Sequence, residues 1–246
     1  MVRKAGLALL ALGVLLVAWA GITVWRGDPL TSLYTRHEQH ALSKQLDAMS
    51  RSWPKTPTLA SVHLTPQAAP ATTAKTAEKV AQTHVSLASV MHKRAVLFRR
   101  TLRDGRALGR IVIPRIGLRM VVVEGTSESD LRLGPGHYNA ASGIATSLPG
   151  MGKGKVVAIA GHRTTYLHPF RYIDELRPGD NIYLQMPYGT FRYKIYAHRV
   201  VASNDWTILR HRPYEKLVLS ACHPLYSATH RWVVFARLAG EGRARA

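Results

Sequence analysis

The single cysteine of the chain, Cys222, ends the apolar run 217–221 and directly precedes His223 and Pro224. Proline cannot donate to a β-ladder, so the chain must leave the strand there and the thiol lies at a strand end. An unperturbed thiol, with a pKa of about 8.5, is mostly protonated at neutral pH, so a nucleophilic cysteine needs a neighbouring imidazole or cation. A lone cysteine is also often a buried, inert side chain. Cys222 is therefore either structural or a nucleophile for acyl transfer.

Two other side chains with suitable chemistry occupy similar places. His162 follows the apolar run 156–160 and one glycine, and Arg231 opens the apolar run after the cysteine. An imidazole serves as a general acid and base, and a guanidinium donates several hydrogen bonds in a fixed fork. The chain has 12 histidines, and about sixty residues separate His162 from Cys222, so spacing alone does not bring them together.

The segment after Gly109 consists of short β-branched runs separated by Gly, Pro and Asn, which predicts a compact all-β barrel or sandwich. Helical signals within it are few and short. We predict seven strands, at 110–113, 120–124, 155–160, 181–186, 190–202, 216–221 and 231–238.

Residues 6–25 form an uncharged apolar stretch of twenty residues, which as a helix spans about 30 Å. We expect a single-pass transmembrane anchor, with Arg3 and Lys4 on the cytoplasmic side and the remaining chain outside the cell membrane. The alternative is a cleaved signal peptide, because the Ala-Trp-Ala sequence at 18–20 resembles a cleavage site.

The region between the apolar stretch and the strands has three parts. Apolar positions recur with helical spacing at 30–49 and again at about 78–102, whereas 54–77 is rich in Pro, Thr and Ala and predicts a flexible linker. The first helix is expected just outside the membrane. The second either caps the following domain or extends a stalk.

The net charge of +20, from 34 Lys and Arg against 14 Asp and Glu, favours an anionic neighbour. No basic motif interleaved with aromatic residues is present, so we expect no nucleic-acid partner. Anionic lipid or wall polymer is the expected neighbour, and a merely solvated surface is the alternative.

Three motifs together resemble the catalytic signature of the sortases, the cysteine transpeptidases of bacterial cell surfaces. They are Ala-Gly-His-Arg-Thr-Thr-Tyr at 160–166, Leu-Ser-Ala-Cys-His-Pro at 219–224 with Arg231 nine residues after the cysteine, and Ile-Val-Ile-Pro-Arg-Ile-Gly at 111–117. The loop after the histidine and the Cys-His-Pro sequence are most similar to class E sortases of high-GC Gram-positive bacteria. The resemblance implies a closed sortase-type β-barrel of about eight strands with short helices, preceded by the transmembrane helix and stalk.

The resemblance also implies roles for particular residues. Cys222 would attack the Thr–Gly bond of a Leu-Ala/Pro-x-Thr-Gly sorting signal near the C-terminus of an exported protein. His162 would be the general acid and base, and Arg231 would stabilise the oxyanion or the substrate backbone. Thr164, Tyr166 and Ala221 would bind substrate, with Tyr166 associated with a preference for Ala over Pro. Ala221 stands where the family usually has threonine, so a hydroxyl beside the nucleophile is missing.

The acyl group would then pass to an amine of a membrane-bound peptidoglycan precursor. We expect no cofactor and no metal, because the acids Glu124, Glu128 and Asp130 lack the spacing of a metal-binding loop. His223 is expected to be structural, since neighbouring strand residues face opposite ways.

The predicted organisation is an anchor at 1–26, a stalk at 27–106, the catalytic barrel at 107–238 and a flexible tail at 239–246. Two alternatives to a wall-anchoring sortase are open: a pilin-polymerising sortase with a lysine acceptor, and a catalytically weak scaffold that binds sorting signals. Ala221 is the only residue that supports the scaffold.

Overall fold

The computed structural model describes residues 2–26, 29–54, 87–144 and 146–241. The predicted linker, from residue 55 onward, and the first part of the predicted helix at 78–102 lie outside the described residues, as does the predicted tail beyond residue 241.

Helix α1 spans Val2–Arg26. Its stretch Lys4–Gly21 is long and apolar enough to cross a bilayer, and no part of that stretch is buried by the rest of the chain. An apolar surface of this size is stable only when something other than water covers it.

Helix α2, Pro29–Ser52, lies against the outside of the barrel. Leu42 and Leu46 are buried there beside Ala107 and Val123. The Gln39 side chain continues the contact: its Nε2 donates to the carbonyl oxygens of Val121 (2.9 Å) and Leu133 (2.8 Å), and its Oε1 accepts from the Val121 N–H (2.7 Å). This first predicted helix is therefore attached to the barrel along its length.

Helix α3, Leu87–Arg99, covers one part of the barrel core. Met91, Ala95 and Phe98 are buried in the same cluster as the inward-facing strand residues. The Phe98 ring packs between Trp53 (5.5 Å between centroids) and Tyr188 (5.4 Å). Of the two possibilities for this helix, the structure shows that it caps the domain.

Eight strands close into a barrel in the order β1-β2-β3-β4-β7-β8-β6-β5. Their bounds are β1 Ala107–Ile113, β2 Leu118–Glu124, β3 Gly136–His137, β4 Val156–Ala160, β5 Asn181–Met186, β6 Gly189–Ala202, β7 Lys216–His223 and β8 His230–Glu241. The predicted all-β barrel is confirmed, and all seven predicted strands are present. The two-residue strand β3 was not predicted.

Strand β8 is longer than expected, because residues 239–241, which the sequence assigned to the tail, continue its ladder with β6. The short helical segments are helix α4, Glu128–Leu133, and single turns at Pro114–Ile116, Ala140–Ser142, Ile173–Glu175 and Trp206–Leu209.

Burial explains the strand patterns. In β5 alternate residues are buried, as expected for a strand with one face in the core and one towards solvent. In β4 all five residues are buried, because Val157 and Ile159 face the barrel interior while Val156 and Ala158 face a second cluster outside it. Strand β4 pairs in parallel with β7, and both faces of this pair are covered.

Candidate active site

The parallel pairing of β4 and β7 brings two of the predicted site residues to the same edge of the sheet. Ala160 pairs with Ser220, and the ladder continues one step further as the Gly161 N–H donates to the Ser220 carbonyl oxygen (3.1 Å). His162 and Cys222 each follow this register pair by two residues. Parallel strands end on the same side, so both side chains lie at the carboxyl-terminal edge of the pair.

Arg231 reaches the same place from β8. It is the antiparallel partner of Cys222, and directly opposed residues have Cβ atoms about 4.5–5.5 Å apart. Its Nη1 donates to the carbonyl oxygens of Ala228 (2.9 Å) and His230 (3.0 Å), which hold the guanidinium in place. Both Cys222 and Arg231 are half-buried.

His162, Cys222 and Arg231 line one cavity of about 330 Å³. The cavity also has walls from the loop before helix α4, from that helix and from the turn at Trp206–Leu209, and its lining includes the side chains of Asp130, Tyr138 and Trp206. Tyr138 is fixed by a hydrogen bond between its hydroxyl and the Ser220 Oγ (3.1 Å). The fold therefore gathers a thiol, an imidazole and a guanidinium around a space large enough for part of a peptide.

The loop that carries His162 is tied down at several points. The Phe170 N–H donates to the His162 carbonyl oxygen (3.0 Å), and the buried Arg163 pairs with Asp174 (2.8 Å). An Arg163 nitrogen also lies 3.4 Å from the Nδ1 atom of His223. His223 thus contacts Arg163, a residue that anchors the loop carrying His162, in line with the structural role expected for His223.

Burial lowers the pKa of His162 below its ordinary value, because desolvation disfavours the imidazolium. The nearby carboxylate of Glu128 opposes this shift, and the guanidinium of Arg132 adds to it. These two residues of helix α4 pair with each other. Within the described part of the chain, the buried Nε2 atom of His162 has no hydrogen-bond partner. Burial therefore favours the neutral form of the His162 imidazole.

The three residues expected to bind substrate fall in different places. Ala221 lines the cavity, but it is 3% exposed and belongs to the core cluster together with Leu219, on the opposite face of the strand from Cys222. Thr164 and Tyr166 are half-buried and do not line the cavity.

Tyr166 nevertheless lies beside the histidine. Its ring centroid is 5.2 Å from that of His162, and the Arg132 guanidinium lies 5.9 Å from the tyrosine ring. Its backbone N–H donates to the Thr31 Oγ1 in the first turn of helix α2 (3.2 Å). Tyr166 also has a left-handed backbone conformation (φ 50°), which is strained in a non-glycine residue. Such strain persists only where the surrounding structure holds the residue in place.

Sequence reasoning missed the wall built by helix α4. The helix begins with a capping box in which Ser127 and Asp130 satisfy each other's backbone N–H groups. That pattern was visible in the sequence, but nothing local indicated that the helix would stand beside His162. The other acids are also engaged: Glu128 pairs with Arg132, and Glu124 with the ring of the buried His137 (2.9 Å).

Comparison with known proteins gives a consistent result. The model of the Sortase domain family matches residues 111–239, just over half of the chain. The chain is 34% identical to Sortase D of Bacillus subtilis over 54% of its length and 64% of that protein. It is 29% identical to Sortase SrtE1 of Streptomyces coelicolor over 57% of its length and 43% of that protein. It thus spans less than two thirds of either relative.

Among solved structures, the crystal structure of Sortase E1 from Streptomyces coelicolor with a tripeptide in the active site superposes with a TM-score of 0.52 and 27% identity. The match covers 56% of this chain and 90% of that one.

Proposed function

Because the chain belongs to the sortase family, as its sequence motifs predicted, we propose that it is a membrane-anchored cysteine transpeptidase that acts on C-terminal sorting signals. The observation that carries this proposal is the convergence on one cavity of Cys222 from β7, Arg231 from β8 and His162 from the loop that follows β4.

In the first step the Cys222 thiolate attacks the carbonyl carbon of threonine in the signal. The tetrahedral intermediate collapses, the C–N bond to glycine breaks, and His162 in its protonated form gives a proton to the departing amine. The products are a thioester on Cys222 and a free peptide that begins with glycine. His162 is left neutral, the form that its lowered pKa favours.

In the second step an amine of the acceptor attacks the thioester. Neutral His162 takes a proton from the attacking nitrogen, an amide bond forms, and the Cys222 thiolate departs. The enzyme returns to its starting protonation state, so one signal and one amine are consumed in each cycle. Water competes for the same thioester and would give hydrolysis instead.

Arg231 is the proposed donor for the oxyanion of the tetrahedral intermediate. Two backbone carbonyl oxygens hold one of its nitrogens, and the guanidinium fork carries further N–H groups for the developing negative charge. A donor fixed before the reaction needs no reorganisation in the transition state, and loss of one such donor costs about 3–4 kcal/mol. We assign Arg231 this role.

For the substrate we propose a Leu-Ala-x-Thr-Gly signal in preference to Leu-Pro-x-Thr-Gly. The support is the similarity to class E sequences and the position of Tyr166 beside His162. For the acceptor we propose an amine of a membrane-bound peptidoglycan precursor. The long apolar helix α1 would place the barrel at the outer face of the cell membrane, where exported proteins and lipid-linked precursors both occur.

The test uses the full chain in a neutral detergent, because helices α2 and α3 are packed on the barrel. The protein is incubated with matched Leu-Ala-x-Thr-Gly and Leu-Pro-x-Thr-Gly peptides and an amine, beside the Cys222→Ala variant, and products are followed by mass spectrometry. We expect an acyl adduct on Cys222, cleavage between Thr and Gly, and an amide product with the amine. A folded protein that gives no adduct, and whose thiol resists methanethiosulfonate reagents, would instead indicate a scaffold that binds signals.

A further inference from the structure

A second cavity, of about 200 Å³, lies outside the barrel between strands β6 and β8 and the turn at Trp206–Leu209. Three of its lining side chains are cationic: Arg199 from β6, Arg212 from the loop before β7, and Lys216 from the start of β7. Among the described residues no carboxylate lines this cavity. We call it the cationic cavity.

Lys216 is the unusual member. It is 2% exposed, and its Nζ donates to the carbonyl oxygens of Ile208 (2.8 Å) and Arg210 (2.6 Å), which leaves one of its three N–H groups for another partner. In the described part of the chain no carboxylate lies within 4 Å of this ammonium group. A buried cation without a counter-ion is costly. Burial, together with the charges of Arg212 and Arg199, lowers the pKa of Lys216 to about 8.

The two arginines add charge of the same sign. The Arg199 Nη2 lies 3.4 Å from the Thr207 Oγ1 and 4.0 Å from the Asp205 carboxylate. Arg212 is exposed, and no ion pair to it is present among the described residues. Three cations therefore line one space, with the Asp205 carboxylate beside Arg199, and an anion in this space would relieve the mutual repulsion of the cations.

We propose that the cationic cavity binds a phosphate group. A phosphate presents several oxygens on different sides, so it can accept from the Lys216 ammonium and from two guanidinium forks at once. One arginine satisfies a carboxylate, which makes a carboxylate ligand a poorer match for three convergent cations. The remaining walls of the cavity are uncharged: they come from Tyr196, Ala197, Thr207, Ile208 and Phe235.

This site is distinct from the cavity around Cys222 but close to it along the chain. Thr207 and Ile208 line the cationic cavity, whereas Trp206, in the same turn, lines the candidate active site. The phosphate could belong to a wall polymer with phosphodiester links, to a lipid headgroup or to the free ion. The shared chemistry is the phosphate, and the experiment separates the sources.

The full chain in a neutral detergent is titrated at pH 7 and constant ionic strength with three probes in separate experiments: inorganic phosphate, a glycerophosphate oligomer, and dihexanoylphosphatidylglycerol. Binding is followed by calorimetry, and sodium acetate serves as the carboxylate control. The test variants are Arg212→Gln and Arg199→Gln, both at exposed positions. The matched control is Lys194→Gln, which removes the same charge from an exposed position on β6 outside the cavity.

We expect saturable binding of at least one phosphate probe by the wild type and by Lys194→Gln, and affinity about tenfold lower in each arginine variant. The probe bound most tightly identifies the source of the phosphate. If no probe saturates, if Lys194→Gln weakens binding as much as Arg212→Gln, or if acetate binds as well as phosphate, the proposal is wrong. The outcome does not depend on transpeptidase activity, so it stands or falls separately from the proposed function.

Discussion

Gly161 lies between the end of β4 and His162, and the structure shows why a larger residue there would disturb the histidine. A Cβ atom at this position would lie 2.7 and 2.9 Å from two carbons of the Phe170 ring. Phe170 is fully buried in the core, so its ring cannot move into solvent. To reach an ordinary contact of about 3.4 Å, the ring or the loop must shift by about 0.7 Å in the Gly161→Ala variant.

The expected cost follows from this geometry. Forcing one extra methyl group into a packed core destabilises a protein by about 1–3 kcal/mol. For a chain of this size, each kcal/mol lowers Tm by about 2–4 °C, so we expect a fall of roughly 2–12 °C. The same shift reaches the catalytic group, because the Phe170 N–H is hydrogen-bonded to the His162 carbonyl. A misplacement of about 1 Å can cost about 100-fold in rate, so kcat should fall by about 10- to 100-fold.

The assay measures transpeptidation rate and Tm for Gly161→Ala, for Phe170→Leu and for the double variant. Leucine removes the ring carbons that the new methyl group would meet, so the double variant should be less impaired than the sum of the two single changes. Phe170→Leu alone reports the cost of the smaller side chain. A Gly161→Ala variant with wild-type kcat, or strict additivity in the double variant, would show that the clash with Phe170 does not control the position of His162.

Four further predictions concern the site and its supports. Arg231→Lys keeps the charge but loses the guanidinium fork, and we expect kcat to fall about 100- to 1,000-fold in peptide cleavage kinetics; near-wild-type turnover would rule out the oxyanion role. Glu128→Gln should lower the pKa of His162 further and Arg132→Gln should raise it, because the carboxylate favours the imidazolium and the guanidinium disfavours it. NMR titration of the imidazole measures both pKa values, and shifts of the same sign in the two variants would contradict this account. Phe98→Ala should destabilise the protein by about 3–5 kcal/mol, since the ring packs in the core between Trp53 and Tyr188; an unchanged denaturation midpoint would mean that α3 is not part of the folded unit. Tyr166→Ala should reduce the preference for Leu-Ala-x-Thr-Gly over Leu-Pro-x-Thr-Gly in competition assays, and an unchanged ratio would remove Tyr166 from substrate selection.

The local sequence was sufficient for the strands and for the chemical groups of the candidate site. Alternating and continuous apolar runs located seven strands, because burial of one or both faces follows directly from the side-chain period. Pro224 after the cysteine and Gly161 before the histidine indicated that both residues stand where strands end. The two-residue strand β3 escaped detection because such a short segment has no period to recognise.

The position of the tail boundary was also decided by pairing rather than by composition. Residues 239–241 carry no strong strand signal, yet β8 continues through them because β6 offers backbone partners as far as Phe191. Likewise, the amphipathic pattern of helix α3 did not say what its apolar face would cover. In the structure that face packs on the core cluster of the barrel, which forms only once the sheet has closed.

The sequence by itself determined which chemical groups the candidate site can use: one thiol, an imidazole and a guanidinium, all at strand ends. It also determined that a long apolar helix precedes them in the chain. Only the tertiary structure decided that β4 and β7 lie side by side in parallel, so that residues sixty positions apart share one cavity. It also placed Glu128 and Arg132 near His162 and gathered Arg199, Arg212 and Lys216 around a separate space. The physical reason is that local periodicity encodes which face of an element is buried, whereas the partner that buries it is fixed by long-range closure of the whole barrel.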